Sequence, residues 1–486
     1  MDDLLEKQMY DMLESKFGFS SFRPGQKEAI KAALTGRDSL VMLPTGTGKS
    51  LCYQLPSYFM TGATLIVSPL LSLMEDQVET MKKNGEKSVV ALNSFMSQKE
   101  KKLVMNSLNT YKFIFMSPEM LQQERVLTRL KQVSISLLVV DEAHCISQWG
   151  MDFRPDYLRL GDLKNQLSSP LTMALTATAV EAVRQEIIRN LNLNGDVKEV
   201  IYSVNRPTIQ LRVEQCVGDK DSKLFHAINT FGRSGIIYFS SKKIADKVAT
   251  RIRETTGFSA ESYHSDIEAK DKKKIQAQFL TNELDIICAT SAFGMGIDKP
   301  DIRYVIHYHM PANPEMYLQE IGRASRDQQG GIALLLYEAG DEHLQNRLQE
   351  ESLPEEEELR YAYRHPKALE ALKDDSKSRL ARYFVSRKTA INEALERIEE
   401  RKRYKKQQLR IMVQYASTES CKREMLLNYF NEELQERQNA CCSSCESKLP
   451  LPYNKQRAPI HKKLEGEQTW EVILNKLFNF NLQPKK

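Results

Sequence analysis

A short glycine-containing segment between two apolar stretches is the first place where this sequence could do chemistry. Residues 43–50 read LPTGTGKS, directly after the apolar run SLVML and before LCYQL. Glycines let the backbone turn tightly enough for its N–H groups to face phosphate oxygens. Lys49 offers a charge to the β and γ phosphates, and the Ser50 hydroxyl is a ligand for Mg²⁺. The segment predicts a nucleotide-binding phosphate loop formed by Thr45, Gly46, Thr47, Gly48, Lys49 and Ser50. Because Leu43 stands where a first glycine is common, a glycine-rich turn entering a helix is the alternative.

Two carboxylates follow another apolar run. Asp141-Glu142-Ala143-His144 comes directly after SLLVV, and ligands of open α/β sheets bind beyond the carboxyl ends of parallel strands. We expect Asp141 to hold Mg²⁺ and Glu142 to position or deprotonate the water that attacks the γ-phosphate. His144 could pass the nucleotide state to nearby segments. A solvated strand end is the alternative, and it does not account for the phosphate loop upstream.

Two arginines in the second half of the chain could complete such a site. Residues 317–327 read YLQEIGRASRD, and the spacing of Arg323 and Arg326 predicts that both lie on one side of a helix. A planar guanidinium that reaches the γ-phosphate from a facing domain acts as an arginine finger and couples hydrolysis to closure. An exposed basic helix is the alternative.

Half of the eight cysteines gather near the C-terminus, whereas the others are scattered through apolar surroundings. The N-terminus MDDLLEKQMY lacks the features of a secretory signal, which predicts an intracellular, reducing setting. There a cluster favours a metal over disulfides. Four thiolates are enough for a closed, structural zinc site, formed by Cys421, Cys441, Cys442 and Cys445. Free thiols are the alternative, because an adjacent pair of cysteines is unusual.

Short apolar runs that recur between helical stretches must position these residues. One series lies near Val41, Val67, Phe115 and Val139, and a second, near Ile237, Ile287, Ile306 and Leu335, begins after residues 205–207. Such runs are typical of buried parallel strands in a βα repeat. Long charged stretches from about residue 355 indicate helices. We predict an α/β protein with two tandem parallel-sheet domains, residues 1–206 and 207–342, a helical zinc-binding subdomain, 343–450, and a short tail, 451–486.

Bulk properties agree with a multidomain protein that does not enter a membrane. The chain has 486 residues, of which 41% are hydrophobic and 27% charged, and no apolar run approaches the roughly 20 residues of a membrane span. The net charge of +5 permits contact with a polyanion but does not by itself indicate one. We expect a soluble, cytoplasmic protein.

These motifs together resemble the RecQ helicases, a family of superfamily 2, over residues 17–445. The most specific element is CISQWGMDFRP at residues 145–155, which is similar to the aromatic-rich loop of that family. The resemblance implies that Trp149, Phe153 and Arg154 stack on or pair with single-stranded DNA and report its presence to the ATP site. Each stacked base contributes about 1–3 kcal/mol.

The resemblance also assigns roles to other matching segments. Gln26 would read adenine, Arg326 would be the finger, and Arg323 would contact the phosphates. Further nucleotide-binding positions are Phe17, Arg23, Gln319 and Asp298, and positions along the DNA backbone are Ser68, Gln77, Ser117, Ser240 and Thr290. The sequence departs from the family pattern at Asp266 and Ser325, where the family has glycine.

The resemblance implies that the two parallel-sheet domains are RecA-like, and that the protein is an ATP- and Mg²⁺-dependent DNA helicase that carries Zn²⁺. It would move 3′ to 5′ on single-stranded DNA, act on branched DNA in recombination and repair, and work as a monomer beside single-stranded-DNA-binding and recombination proteins. The family's winged helix and terminal helical DNA-binding domain do not fit in the residues after the cysteines, so duplex separation could work differently. An RNA helicase of similar core and a DNA-bound scaffold with little ATP turnover are the rival interpretations.

Overall fold

The computed structural model describes residues 2–93, 96–147, 154–193, 195–294, 299–371, 375–436 and 441–446. Three predicted site residues, Trp149, Phe153 and Asp298, lie outside the described residues, as does the tail from residue 447 onward. No helix in the described part of the chain is long and apolar enough to cross a membrane.

The first domain is built on a seven-stranded sheet in the order β3-β4-β2-β5-β6-β1-β7, with every neighbouring pair parallel. Its strands are β1 (Ser39–Met42), β2 (Ala63–Val67), β3 (Val89–Leu92), β4 (Phe113–Met116), β5 (Ile135–Val140), β6 (Leu171–Thr176) and β7 (Lys198–Ile201). Its helices are α1 (Asp2–Phe17), α2 (Gln26–Leu34), α3 (Lys49–Ser57), α4 (Leu71–Lys83), α5 (Gln98–Asn106), α6 (Pro118–Leu121), α7 (Glu124–Leu130), α8 (Leu160–Gln166) and α9 (Glu181–Asn190).

The second domain repeats this plan with a six-stranded parallel sheet in the order β10-β11-β9-β12-β13-β8. Its strands are β8 (Ile209–Cys216), β9 (Gly235–Tyr238), β10 (Ala260–Tyr263), β11 (Ile286–Ala289), β12 (Tyr304–His307) and β13 (Gly331–Glu338). Its helices are α10 (Lys220–Phe231), α11 (Lys242–Thr255), α12 (Ala269–Leu280) and α13 (Pro314–Ile321).

A helical region follows the second sheet. It comprises α14 (Asp341–Glu351), α15 (Glu356–Arg364), α16 (Ser376–Ser386), α17 (Ile391–Ser417) and α18 (Lys422–Tyr429). Side chains of α17, among them Leu409, Met412 and Tyr415, join the core below the second sheet. Leu427 of α18 and the neighbouring Phe430 join the core of the first sheet. The helical region therefore packs against both domains.

The predicted fold class is confirmed, and all eight predicted strands are present. They are readily predicted because each is a short apolar run that the structure buries on both faces, as in β1, β4 and β9. Strands β3, β6, β7, β8 and β10 were not predicted. Both β7, KEVI, and β10, AESY, carry charged or polar residues and pair with one neighbour each at a sheet edge, so their apolar signal is weak.

The predicted helix that carries the two arginines is wrong at its C-terminal end. Helix α13 ends at Ile321, and Arg323 and Arg326 lie in the turns that follow. The amide of Ser325 donates to Ile302 O at 2.9 Å rather than continuing the helical pattern, and Ser325 has a left-handed φ of 53°. The chain is thus turned out of the helix, and we call residues 322–326 the finger loop.

Candidate active site

A cavity of about 190 Å³ opens between the two sheets. From the first domain it is lined by Arg23, Thr45, Gly46, Gly48, Lys49, Ser50, Tyr53, Ser68, Leu73, Met74, Gln77, Phe115, Asp141, Glu142 and Leu175, and from the second by Gly294, Gln319, Arg323 and Arg326. The three motifs that the sequence indicated as chemical therefore share one cavity. We call it the nucleotide cavity.

The phosphate loop has the local geometry that its glycines predict. Gly46 and Gly48 take φ values of 82° and 77°, a conformation that favours glycine, and α3 begins at Lys49. Leu43, where a first glycine is common, is fully buried, and its amide continues the ladder of β1 by donating to Thr176 O at 3.1 Å. Leu43 thus extends the hydrogen bonding of β1 by one residue beyond the end of the strand at Met42, and its side chain is buried there, which explains why leucine is accommodated. The Lys49 ammonium donates to Leu43 O at 3.3 Å across the loop.

Two residues upstream of the phosphate loop hold its backbone by hydrogen bonds to its carbonyls. The Gln26 amide group donates to Thr47 O at 2.7 Å and to Gly48 O at 3.1 Å, and its oxygen accepts from the Arg23 amide at 2.9 Å. The Arg23 guanidinium donates to Gly46 O at 2.5 Å. Gln26 is buried and does not line the nucleotide cavity, and Phe17 packs in a separate small cluster with α1 and α2. Contacts of Gln26 and Phe17 with adenine therefore stay predictions.

The two carboxylates stand at the carboxyl end of β5, where the sequence predicted them. Burial first, and then the neighbouring Glu142, raise the pKa of Asp141 from its usual 3.8 to about 7. The Glu142 backbone takes a left-handed φ of 47°, and its amide donates to the Asp141 carboxylate at 3.0 Å. His144 Nδ1 lies 3.3 Å from the Glu142 carboxylate and 3.0 Å from the Thr176 hydroxyl. A divalent cation between Asp141 and Ser50 would offset the charge that burial makes costly.

The second domain places both arginines against the first. A Cβ atom on Gly46 would lie 2.9 Å from Arg326 Cγ, so the Arg326 side chain rests directly on the phosphate loop. Arg323 is almost fully buried and donates to Gly294 O, and its Nε has no hydrogen-bond partner among the described residues. An unsatisfied guanidinium N–H in a cavity of this kind is suited to an oxyanion such as phosphate.

A second cleft of about 510 Å³ lies beside the nucleotide cavity. The predicted DNA-contacting residues Ser240 and Thr290 line it, together with Leu70 and Ser72 from the first domain. Ser240 is held in place, since its amide donates to His309 at 3.1 Å and its hydroxyl accepts from Gln345 at 2.8 Å. Residues of both domains therefore line this cleft, most of them from the second domain.

Other predicted DNA contacts are placed differently. Ser68 and Gln77 line the nucleotide cavity, and Ser117 caps α6 by accepting from the Met120 amide at 3.2 Å. Arg154 donates to Pro69 O at 2.8 Å, in the segment next to the second cleft. Contacts of these four residues with DNA stay predictions.

The four C-terminal cysteines converge as a zinc site requires. The Sγ atoms of Cys421, Cys441, Cys442 and Cys445 all lie within 4.8 Å of one another. The pKa of the Cys442 thiol supports thiolate character. Burial raises this pKa, but hydrogen bonds from the backbone amides of Lys422 and Cys445 and from neighbouring donors more than offset burial, and the pKa falls from 9.0 to about 7. Four sulfur donors at this spacing fit a tetrahedral Zn²⁺ without an open position.

One important residue was missed by sequence reasoning. The Arg206 guanidinium lies where the two domains meet and donates to backbone carbonyls of both the phosphate loop and the finger loop. Burial first, and then nearby Arg326, lower its pKa to about 10. Its position in the segment between the two sheets was the available signal, but a lone arginine there does not reveal its partners.

Three family models match the chain in this order. Residues 23–186 match the DEAD/DEAH box helicase model, residues 219–328 match the helicase conserved C-terminal domain, and residues 377–446 match the RecQ zinc-binding model. The third match ends at the cysteine cluster. These matches cover ten of the thirteen strands in the two sheets and the later part of the helical region.

Similar proteins agree with the family models. The probable ATP-dependent DNA helicase RecS of Bacillus subtilis is 41% identical over 484 residues, which are 95% of this chain and 96% of that protein. The ATP-dependent DNA helicase RecQ of Pasteurella multocida is 37% identical over 450 residues, which are 92% of this chain and 63% of that protein. Among solved structures, the DEAD-box helicase Mss116 bound to single-stranded RNA has a TM-score of 0.59 at 18% identity, covering 88% of this chain and 91% of that chain. The chain belongs to the RecQ family of ATP-dependent DNA helicases.

Proposed function

We propose that this protein hydrolyses ATP between its two sheets and uses the cycle to move 3′ to 5′ along single-stranded DNA, unwinding duplex or branched DNA in recombination and repair. The observation that carries the proposal is the nucleotide cavity, to which the phosphate loop, the carboxylate pair and the finger loop all contribute. The walls of the cavity belong to two domains. Binding of a γ-phosphate would therefore draw the two domains together, and its loss would let them separate.

Roles within the nucleotide cavity follow from the donor and acceptor types. Lys49 would bind the β and γ phosphates, and Ser50 with Asp141 would hold Mg²⁺. The Glu142 carboxylate, kept beside His144, would orient the attacking water. Arg326 would stabilise the charge that develops on the γ-phosphate, with Arg323 beside it. When bound, Mg²⁺ would neutralise charge on the phosphate oxygens.

Helix α13 supports coupling between the two clefts. Gln319 and Arg323, in and just after this helix, line the nucleotide cavity, whereas Met316 and Glu320 line the second cleft. Glu320 also contacts His307 at 2.7 Å in a buried pair. A single DNA strand bound in the second cleft would therefore contact α13, the same helix that carries nucleotide-binding groups. Ser240 and Thr290 would hold the sugar-phosphate backbone, a contact without sequence information.

The cysteine cluster would hold a structural Zn²⁺. Ser443 pairs with β8 through its amide, which donates to Leu211 O at 2.8 Å, so the cluster is attached to the second sheet. Zinc bound there would fasten the helical region to the motor domains. We also propose that the protein acts as a cytoplasmic monomer and meets single-stranded-DNA-binding and recombination proteins on its substrate.

The proposal is tested by comparing nucleic acids as activators and substrates. We expect single-stranded DNA to stimulate ATP hydrolysis more than RNA of the same sequence, and a duplex with a 3′ overhang to be unwound in preference to one with a 5′ overhang. Lys49→Ala serves as the control that removes hydrolysis. Stronger stimulation by RNA would refute the DNA assignment, and preference for the 5′ overhang would refute the direction.

A further inference from the structure

Arg206, in the segment that joins the two sheets, bridges two loops of the nucleotide cavity. Its guanidinium donates to Thr45 O of the phosphate loop at 2.8 Å. It also donates to three carbonyls of the finger loop, Gly322 O at 3.0 Å, Ala324 O at 3.2 Å and Ser325 O at 3.1 Å. A second link joins the same loops, because the Thr45 hydroxyl donates to Gly322 O at 3.0 Å.

Arg206 does not itself line the nucleotide cavity. Arg206 is not among the described residues that line this cavity, whereas Arg326, at the end of the finger loop, is. The Arg206 guanidinium donates its hydrogen bonds to backbone carbonyls, which no side-chain substitution can remove. Although burial and nearby Arg326 lower its pKa to about 10, Arg206 stays charged at neutral pH. Arg206 is therefore suited to hold Arg326 in place and not to touch phosphate.

A second arginine attaches this bridge to the cysteine cluster. Arg423 Nη1 donates to Arg206 O at 3.0 Å and to Asn205 Oδ1 at 2.8 Å. Its Nη2 donates to Cys441 O at 3.2 Å, and its Nε contacts Cys441 Sγ at 3.4 Å. Arg423 is buried. A continuous path of charge-assisted contacts thus runs from Cys441 through Arg423 and Arg206 to both loops.

We propose that Arg206 is a positioning residue for ATP hydrolysis, which sets the finger loop against the phosphate loop, and that Arg423 anchors it to the cysteine cluster. This inference rests on the proposed hydrolysis in the same cavity. A planar guanidinium is required because its fork of donors reaches four carbonyls, whereas the ammonium of lysine is a single point. Cleft closure then depends on the helical region as well as on the two sheets.

The test separates positioning from folding by a conservative substitution and a double variant. Arg206→Lys keeps the charge but loses the fork, and we expect kcat to fall by about 10²-fold, the effect of displacing a reacting group by roughly 1 Å. Affinity for a fluorescent ATP analogue should stay within about threefold, since Arg206 does not line the cavity. Arg253→Lys is the matched control, because Arg253 also donates to a backbone carbonyl, Ala260 O, but lines neither the nucleotide cavity nor the second cleft.

The double variant decides whether Arg206 acts through Arg326. If it does, Arg206→Lys combined with Arg326→Ala has the same kcat as Arg326→Ala alone. Losses that multiply in the double variant would overturn the inference, as would an Arg206→Lys protein with unchanged kcat. An unaltered protein without DNA-stimulated ATP hydrolysis would instead overturn the proposed function, so the two failures are distinguishable.

The anchor is tested by Arg423→Lys, with zinc content measured beside kcat. We expect zinc content to be unchanged and kcat to fall, because the four thiolates remain while the support of Arg206 is lost. Unchanged kcat would overturn the anchor. Loss of zinc together with unchanged kcat would also overturn it, because the cluster would then have no influence on the cleft.

Discussion

The buried carboxylate at the end of β5 leads to a prediction about stability. Burial and the neighbouring Glu142 raise the pKa of Asp141 from 3.8 to about 7. In the unfolded chain this carboxyl loses its proton near pH 4, whereas the folded protein keeps the proton until about pH 7. The folded state binds more protons in this window, so the free energy of unfolding falls as pH rises from about 4 to about 7.

We therefore expect Asp141→Asn to stabilise the nucleotide-free protein at pH 8. The difference between 3.8 and about 7, at about 1.4 kcal/mol per pH unit, sets an upper bound of about 4 kcal/mol. Water entry and local relaxation reduce this, so we expect about 1–3 kcal/mol. The asparagine oxygen can still accept from the Glu142 amide, which lies 3.0 Å from the carboxylate. The same variant should lose ATP hydrolysis.

The assay is thermal unfolding at pH 8 and at pH 4.5, without Mg²⁺, nucleotide or chelator, since a chelator would also remove zinc. A gain of 1 kcal/mol raises the Tm of a domain of this size by about 2–4 °C. Asp196→Asn is the control, because its side chain is 85% exposed, and we expect a change within about 0.5 kcal/mol. A lower Tm for Asp141→Asn at pH 8, or an equal gain at both pH values, would refute the reasoning.

Three further predictions concern the phosphate loop, a buried ion pair and the metal centre. Lys49→Ala should lower kcat by about 10²–10³-fold while affinity for single-stranded DNA, measured by fluorescence anisotropy, changes less than twofold; a matching loss of affinity would contradict separate clefts. Lys164→Met removes the ammonium that lies 2.8 Å from the Asp38 carboxylate. The free energy of unfolding, measured by urea denaturation, should fall by about 3–5 kcal/mol. A fall of less than about 1 kcal/mol would show that this ion pair does not stabilise the fold. Cys442→Ser should reduce zinc content, measured by atomic absorption, and lower Tm, because three thiolates leave the tetrahedral site incomplete; full zinc content would exclude Cys442 as a ligand.

Much of the fold could be predicted because buried parallel strands are short, apolar and regularly spaced. The strands that precede the phosphate loop and the carboxylate pair, β1 and β5, are of this kind. Edge strands such as β7 and β10 carry polar residues and gave no such signal. The helix predicted for Arg323 and Arg326 failed for another reason, since the amide of Ser325 finds its partner in Ile302, which is distant in sequence.

The sequence by itself determined the chemical groups of this protein: a phosphate loop, a carboxylate pair, two arginines and four clustered cysteines. Their residue types and short spacings carry that information because each group is local in the chain. Only the tertiary structure decided which groups meet. It placed Arg326 on Gly46, moved Ser68 and Gln77 to the nucleotide cavity, and revealed Arg206 as a bridge. The hydrogen bonds of Arg206 join segments more than 100 residues apart through backbone carbonyls. Because a carbonyl is present at every position, no residue pattern identifies such a partner.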